Sequence, residues 1–137
     1  MSLDSEASRP DVTLLCFVKE ISGKRIEEAR RRARITQQIF AKQVGVSERW
    51  LREVEAGNPA SKLDDHLTCS RYLRLPVGHI LIPLMFLGHE MAFPRQLALG
   101  DLAELERQCI DLIAERNIRQ ITTELTPRWW PRDGAAA

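Results

Sequence analysis

The sequence lacks the closely spaced cysteines of a disulfide-bonded protein and the long apolar run of a membrane-spanning one. Its 137 residues include three cysteines, which are widely spaced and form no Cys-x-x-Cys pair: Cys16, Cys69 and Cys109. This usage is typical of free thiols in a reducing cytoplasm. The longest apolar run, residues 80–87, is too short to cross a bilayer and contains Pro83. We therefore expect a cytoplasmic protein that does not enter a membrane.

Catalytic and metal-binding signatures are also missing. The three histidines, His66, His79 and His89, share no metal-ligand spacing with one another or with a cysteine. The sequence has no glycine-rich phosphate loop, and no serine or cysteine lies in a nucleophile motif. We therefore expect no enzymatic activity, no cofactor and no metal, and interpret each histidine as an ordinary helix or loop residue.

Charge is nearly balanced overall but unevenly distributed. Twenty basic and 19 acidic residues give a net charge of +1. Residues 24–52 contain nine basic and three acidic residues, whereas residues 101–126 contain three arginines and six acids. A basic segment and a separate acidic one fit a polyanion-binding face and an assembly face. The alternative is that these charges simply lie on solvated helix surfaces.

The clearest local pattern lies in residues 36–57. Apolar residues recur there every three or four positions, which predicts two short amphipathic helices. Thr36 and Ser47 stand where N-caps belong, and Gly45 lies between the helices, where a tight turn needs a residue that tolerates positive φ. Two short helices joined in this way form a helix-turn-helix, whose second helix, residues 47–56, reads the major groove of DNA.

Residues 21–81 resemble the lambda-repressor/Cro type of helix-turn-helix protein, also called the Xre family. The positions that carry the resemblance are Arg30, Ile35, Thr36, Gln37, Ala41, Gly45, Val46, Ser47, Leu51, Val54, Glu55, Gly57, Leu63, Leu67 and Leu73. The resemblance implies an all-α fold, with a five-helix lambda-repressor-like DNA-binding domain, to which this chain adds a C-terminal helix. It also implies that the chain binds double-stranded DNA.

The chain is predicted to have three parts. Residues 1–12 form a disordered lead, residues 13–88 the helix-turn-helix domain, and residues 89–137 a linker and a C-terminal helix for dimerisation or packing. Residues 11–34 are predicted to contain one or two helical pieces, with a break at Gly23 in the second case. A short strand or extended arm near their start, at residues 12–18, is the alternative.

Caps and prolines predict the remaining boundaries. Ser61 and Asp64 have the spacing of a capping box that opens a fourth helix. Pro76 suits the first turn of a fifth helix over residues 77–86. Residues 94–100 are predicted to be a linker. A last helix, capped by Asp101, then runs to about Leu125 and stops before Pro127.

Leu51 and Val54 define the buried direction of the predicted recognition helix. The candidate base-reading residues lie opposite or beside them: Glu48, Arg49, Trp50, Arg52 and Glu53. Arg49 is the foremost candidate, because its planar guanidinium matches the two acceptors of a guanine edge. Arg52 suits a phosphate or a second base, and Glu53 either accepts from cytosine or holds Arg49 from one turn away.

Glu48 and Trp50 depart from the family pattern. Glu48 either reads a base or is stabilised by the dipole of the helix N-terminus. Trp50 lies against a thymine methyl or sugar, packs sideways on the preceding helix, or covers a partner surface.

Further roles follow from the resemblance and from position. Gln37 looks like the family residue that contacts a phosphate beside the groove, and Arg30 and Glu55 resemble its buried structural pair. The other phosphate candidates are Ser47, Asn58, Ser61 and Lys62.

The last predicted helix carries an apolar stripe. Leu102, Leu105, Cys109 and Leu112 have a 3-4-3 spacing, and Ile113, Ile118, Ile121 and Leu125 continue it after a drift of face. Such a stripe is covered either by the chain's own core or by the same helix of a second copy. We assign Leu102, Leu105, Cys109 and Leu112 as the candidate dimerisation residues. Trp129 and Trp130 anchor the C-terminus or cap the end of the helix.

These patterns together predict a sequence-specific transcriptional regulator, by default a repressor that binds a palindromic operator as a homodimer. One alternative is the antitoxin of a toxin–antitoxin pair, in which residues 101–130 or 12–17 bind a toxin. The other is a helix-turn-helix that serves as a protein-interaction adaptor.

Overall fold

The computed structural model describes residues 10–100 and 102–131, and these residues form seven helices and no strand. The helices are α1 (Pro10–Arg32), α2 (Gln37–Val44), α3 (Glu48–Glu55), α4 (Leu63–Tyr72), α5 (Gly78–Gly88), α6 (Arg95–Leu99) and α7 (Ala103–Leu125). The chain divides into two compact units, one ending at Ala103 and the other beginning at Glu104. The all-α prediction is therefore confirmed. Within the described residues, no helix combines the length and the apolar character that a membrane span requires.

The core of the first unit lies where α1, α2, α3 and α4 meet. Its buried cluster consists of Ile26, Phe40, Ala41, Leu51, Val54 and Cys69. Helix α1 packs against α3, α4 and α5, so it is the central element of this unit. Leu51 and Val54 are the contribution of α3 to the cluster, and burying an aliphatic side chain of this size stabilises a fold by roughly 1.5–3 kcal/mol. This burial fixes which face of α3 remains outside.

Helix α1 is continuous, so the predicted break and the alternative strand are both absent from it. It begins at Pro10, which makes residues 10–12 of the predicted disordered lead helical; residues 1–9 lie outside the described part of the chain. Gly23 has a different role from a helix break. A Cβ at this position would lie 2.5 Å from the carbonyl oxygen of Val54 and 2.7 Å from that of Glu55. Glycine therefore lets α1 approach the end of α3 closely.

The two short helices α2 and α3 have the predicted caps. The Thr36 hydroxyl accepts a hydrogen bond from the backbone N–H of Ile39, and the Ser47 hydroxyl accepts one from Trp50 at 3.0 Å. Gly45 ends α2 with φ 89°, in the left-handed region that favours glycine. Each helix therefore begins and ends where its local sequence chemistry directs.

The predicted capping box at the start of α4 does not form. Helix α4 begins at Leu63 with Lys62 as its N-cap, and no side chain caps it. The Ser61 hydroxyl instead donates to the carbonyl oxygen of Asn58 at 2.6 Å. Ser61 therefore closes the loop that follows α3 rather than opening α4.

Three later boundaries also differ from the sequence predictions. Pro76 precedes the N-cap residue of α5, Val77, instead of lying in its first turn. The predicted linker contains the short helix α6. Helix α7 ends at Leu125, before Pro127, as predicted. The predicted cap residue Asp101 lies outside the described residues.

Gly23→Ala is expected to destabilise the protein by about 1–3 kcal/mol, because the added methyl group would push α1 away from the backbone of α3. Chemical denaturation of the full chain measures this loss. Gly88→Ala is the matched control, since nothing lies within 4 Å of a Cβ there and alanine favours a helix. Equal stabilities for the two variants would contradict the close approach at Gly23.

Candidate nucleic-acid interface

Helix α3 separates its buried and exposed side chains sharply. Leu51 and Val54 have 0% of their surface exposed, whereas the side chains of Arg49 and Arg52 are 84% and 54% exposed. The structure therefore places both arginines on one exposed ridge, as the sequence pattern predicted. We call the outward side chains of Glu48, Arg49, Arg52 and Glu53 the α3 ridge.

Each arginine of the α3 ridge faces an acid one helical turn away. Arg49 Nε lies 3.9 Å from Glu53 Oε1, and Arg52 Nη1 lies 3.4 Å from Glu48 Oε1. The Arg49–Glu53 contact fits the holding role predicted for Glu53. The Arg52–Glu48 contact was not predicted, although the i, i+4 spacing was a signal for it. The two pairs make the α3 ridge electrically neutral but rich in charged hydrogen-bonding groups.

Trp50 is not part of the ridge. Its side chain is half-buried, and its indole N–H donates to Asp65 Oδ2 on α4. The indole N–H is thus occupied inside the protein, while the assignment of the Trp50 ring to base reading stays a prediction. Trp50 packs sideways, but toward α4 rather than toward the preceding helix. Asp65, its partner, was not singled out in the sequence.

A buried ion pair holds the inner side of α3. Arg30 Nε donates to Glu55 Oε2 at 2.6 Å, and Arg30 Nη2 donates to Glu55 Oε1 at 3.1 Å. The side chains are 8% and 2% exposed. The same arginine also donates to the carbonyl oxygen of Ile35 at 2.8 Å. The predicted structural pair is therefore present, and it links α1, the turn before α2 and the end of α3.

Gln37 belongs to this network. Its amide nitrogen donates to Glu55 Oε1 at 2.8 Å, and the side chain is half-buried. This contact occupies one of the two N–H groups of the amide, so Gln37 has a structural role beside the predicted phosphate contact. The ion pair thus fixes the position of the residue that opens α2.

The loop after α3 is anchored to the rest of the fold. This bears on the predicted phosphate contacts of Ser61 and Asn58, because both side chains have hydrogen-bond partners within the protein. Ser61 is 1% exposed, so its predicted role as a phosphate ligand is wrong. Asn58 is half-buried, and its side-chain oxygen accepts from the N–H of Ala60 at 2.9 Å. Lys19 Nζ donates to the carbonyl oxygen of Pro59 at 2.7 Å. Lys62 remains an exposed basic side chain at the end of this rigid loop.

His66 connects this loop to α1, a role that the sequence did not reveal. Its Nδ1 lies 2.8 Å from the Ser22 hydroxyl, and its Nε2 lies 2.8 Å from the Ser61 hydroxyl. Because Ser61 donates its proton to Asn58, it accepts from His66 Nε2–H, and Ser22 then donates to Nδ1. The only signal was the position of His66 three residues after Leu63 and three before Cys69, on the inner side of α4.

Burial lowers the pKa of His66 to about 4; the nearby Lys19 ammonium lowers it further, and Asp65 opposes both effects. Burial likewise lowers the pKa of His79 to about 4, with the Arg25 guanidinium acting in the same direction. Both histidines are therefore neutral at pH 7 and lie in the core, His66 on α4 and His79 on α5.

The three cysteines and the four predicted dimerisation residues differ in how far their side chains are buried. All three thiols are free, and burial raises the pKa of Cys69 to about 12. Leu102 is buried, Leu105 and Cys109 are half-buried, and Leu112 is 52% exposed. Only the last of these four residues therefore presents a largely exposed apolar side chain.

No model of a known protein family, no curated protein and no solved structure matches the chain. The functional interpretation consequently depends on the geometry of α3 and its supports.

Arg30→Ala is expected to destabilise the protein by about 3–5 kcal/mol, because it leaves the Glu55 carboxylate buried without its cation. Urea denaturation measures the loss. Arg31→Ala is the matched control, since the neighbouring Arg31 is 70% exposed in its pair with Glu27 and should cost less than about 1 kcal/mol. Similar losses of unfolding free energy in both variants would show that water reaches the Arg30–Glu55 ion pair.

The free energy of unfolding is expected to fall as pH decreases from about 6.5 to about 4. In this window the unfolded chain binds protons at His66 and His79 that the folded chain excludes, so this stabilisation is complete above pH 6.5 and is lost toward pH 4. The slope approaches about 1.4 kcal/mol per pH unit for each histidine.

Urea denaturation at a series of pH values tests this dependence. His66→Gln should reduce the slope, because one of the two titrating groups is removed. As the control, Gln38→Ala changes an exposed side chain that does not titrate and should leave the slope unaltered. A slope that is the same in wild type and His66→Gln would contradict the protonation argument.

Proposed function

We propose that this protein is a sequence-specific DNA-binding transcriptional regulator of the lambda-repressor/Cro type. The observation that carries the proposal is the orientation of α3: Leu51 and Val54 are fully buried, while Arg49 and Arg52 project together from the opposite side. In a helix-turn-helix, this is the face that enters the major groove, which is wide enough for one α-helix.

The supports of α3 favour the same function. The capped turn at Gly45 and the network of Arg30, Glu55 and Gln37 hold α2 and α3 in one arrangement before any ligand binds. A reading helix needs this rigidity, because a base contact requires a side chain placed to within a hydrogen-bond distance. The order of α1 to α5 also fits the five helices that the family resemblance implies.

The exposed side chains have distinct proposed roles. Arg49 reads a guanine through a bidentate contact, and Glu53 orients its guanidinium. Arg52 and Lys62 bind phosphates on either side of the helix. Two copies of the chain bind a palindromic operator, with their α3 helices in successive major grooves about 34 Å apart. Repression follows if the bound dimer blocks access of polymerase.

A second candidate function, a protein-interaction adaptor, is favoured by one observation. Glu48 and Glu53 pair with both arginines of the α3 ridge, so the ridge carries no net charge. A neutral ridge with alternating charges also fits a complementary protein surface. Salt dependence separates the two functions, because DNA binding releases counterions and weakens steeply as salt rises.

Arg49→Ala is expected to weaken binding to the preferred DNA site by about 5- to 150-fold, which corresponds to the roughly 1–3 kcal/mol of a bidentate base contact. Binding to random DNA should change little. The preferred site is first obtained by selection from a random duplex library, and affinities are then measured by fluorescence anisotropy at fixed salt.

Arg71→Ala is the control, because Arg71 is an exposed arginine on α4, outside the α3 ridge. It should leave both affinities unchanged. Equal losses on both DNAs from Arg49→Ala would remove Arg49 from base reading. If the wild-type protein ignores duplex DNA even at low salt, the proposed function is wrong.

A further inference from the structure

Helix α7 exposes an apolar row on one face. Ile110, Ala114, Ile118, Ile121 and Leu125 follow one another at spacings of three or four residues, which places them on one side of a helix. The four large members are 59%, 64%, 46% and 78% exposed. None of the 23 residues of α7 is buried. A helix draws most of its stability from packing of an apolar face. We therefore expect another apolar surface to cover this row.

The row differs from the four residues assigned to dimerisation, although Ile118, Ile121 and Leu125 belong to the predicted continuation of their stripe. Leu105 and Cys109 of that stripe are half-buried within the chain, and Leu112 lies about 160° around the helix from the centre of the row, at about 100° per residue. Helix α7 thus carries a second apolar face, besides Leu112 of the first stripe and Ile113, which are 52% and 68% exposed and lie outside the row.

A groove accompanies the row. It has a volume of about 1040 Å³ and is lined by residues of α7 and of the segment 126–131. Ala114 and Ile118 line the groove, and so does Trp130, which contacts Trp129 edge-to-face at 5.8 Å between ring centroids. Ala114 and Ile118 therefore belong both to the apolar row and to the border of this groove, whose other lining residues are mainly polar or charged.

The charge distribution along α7 favours α7 of a second copy, in the antiparallel sense, as the partner helix. Residues 104–115 contain four acids and one arginine, whereas residues 116–128 contain three arginines and one acid. Two copies side by side in the parallel sense would place the acidic halves together and the basic halves together. In the antiparallel sense, each acidic half lies along the basic half of its partner, which is favourable.

We infer that the apolar row of α7 is the pairing surface for α7 of a second copy of this chain, with the two helices antiparallel and the two-fold axis near Ile118, the middle of the row. The small side chain of Ala114 allows close approach beside the axis, and Ile110 of one copy lies against Leu125 of the other. This inference rests on the proposed function in requiring a dimer, but its tests contain no DNA, so the two can fail separately.

Sedimentation of the full chain tests the face that pairs. Ile118→Glu should raise the dimer dissociation constant by about 100-fold or more, because two carboxylates would meet at the axis. Leu112→Glu is the matched control on the other face of α7 and should leave the dimer intact. A wild-type monomer, a dimeric Ile118→Glu variant or a monomeric Leu112→Glu variant would each overturn the inference. The inference would also be overturned if the wild-type chain sediments as a monomer and the row binds a different protein instead of a second copy.

Cysteine cross-linking tests the antiparallel sense. In a background with Cys16→Ser and Cys109→Ser, where the remaining Cys69 is buried, Ile118→Cys should form a disulfide with itself across the axis. A mixture of Ile110→Cys and Leu125→Cys chains of different mass should form the mixed disulfide. Self-disulfides at both of these end positions, without the mixed product, would establish a parallel pair and overturn the inference.

Discussion

The buried ion pair between Arg30 and Glu55 is the constraint on which the candidate interface depends. Removing two charges from water costs several kcal/mol for each ion, and their attraction only roughly offsets that cost, so the pair adds less to net stability than to geometry. Both carboxylate oxygens of Glu55 are occupied, by Arg30 and by Gln37. Any rotation of α3 about its axis breaks these hydrogen bonds together and exposes Leu51. The outward direction of Arg49 and Arg52 is therefore set from inside the protein.

On the proposed function, the acids of the α3 ridge would determine how the arginines behave on different DNA sequences. Exposed ion pairs contribute about 1 kcal/mol or less, so a guanine edge or a phosphate can replace Glu53 or Glu48 as a partner at little cost. At a site that offers no such partner, the acids remain close to phosphates and repel them. In the proposed DNA complex, Glu48 and Glu53 would thus weaken random binding more than cognate binding, which is a route to specificity through repulsion.

The sequence predicted what depends on neighbouring residues and missed what depends on distant ones. Thr36, Gly45 and Ser47 place α2 and α3 correctly, because capping and positive φ act within a few residues. Ser61 has the spacing of a capping box, but His66 and Asn58 engage its hydroxyl, and Gly23 serves a contact with the end of α3. The ion pair was accessible only through the family resemblance, since nothing in the local pattern links positions 25 residues apart.

Helix α7 shows why periodicity alone could not identify the pairing surface. Apolar residues occupy two of its faces, and each set satisfies the three-to-four spacing of an amphipathic helix. Exposure distinguishes them over part of their length, because Leu105 and Cys109 are half-buried whereas Leu112 of the same face is 52% exposed, and the large members of the other face are exposed throughout. The uneven charge of the two halves then favours one sense of pairing, since a self-complementary surface must satisfy the same contact twice about its two-fold axis. A dimer formed in this way would bring two α3 ridges to one DNA molecule. Helix α7 would then contribute to DNA affinity without contacting the DNA.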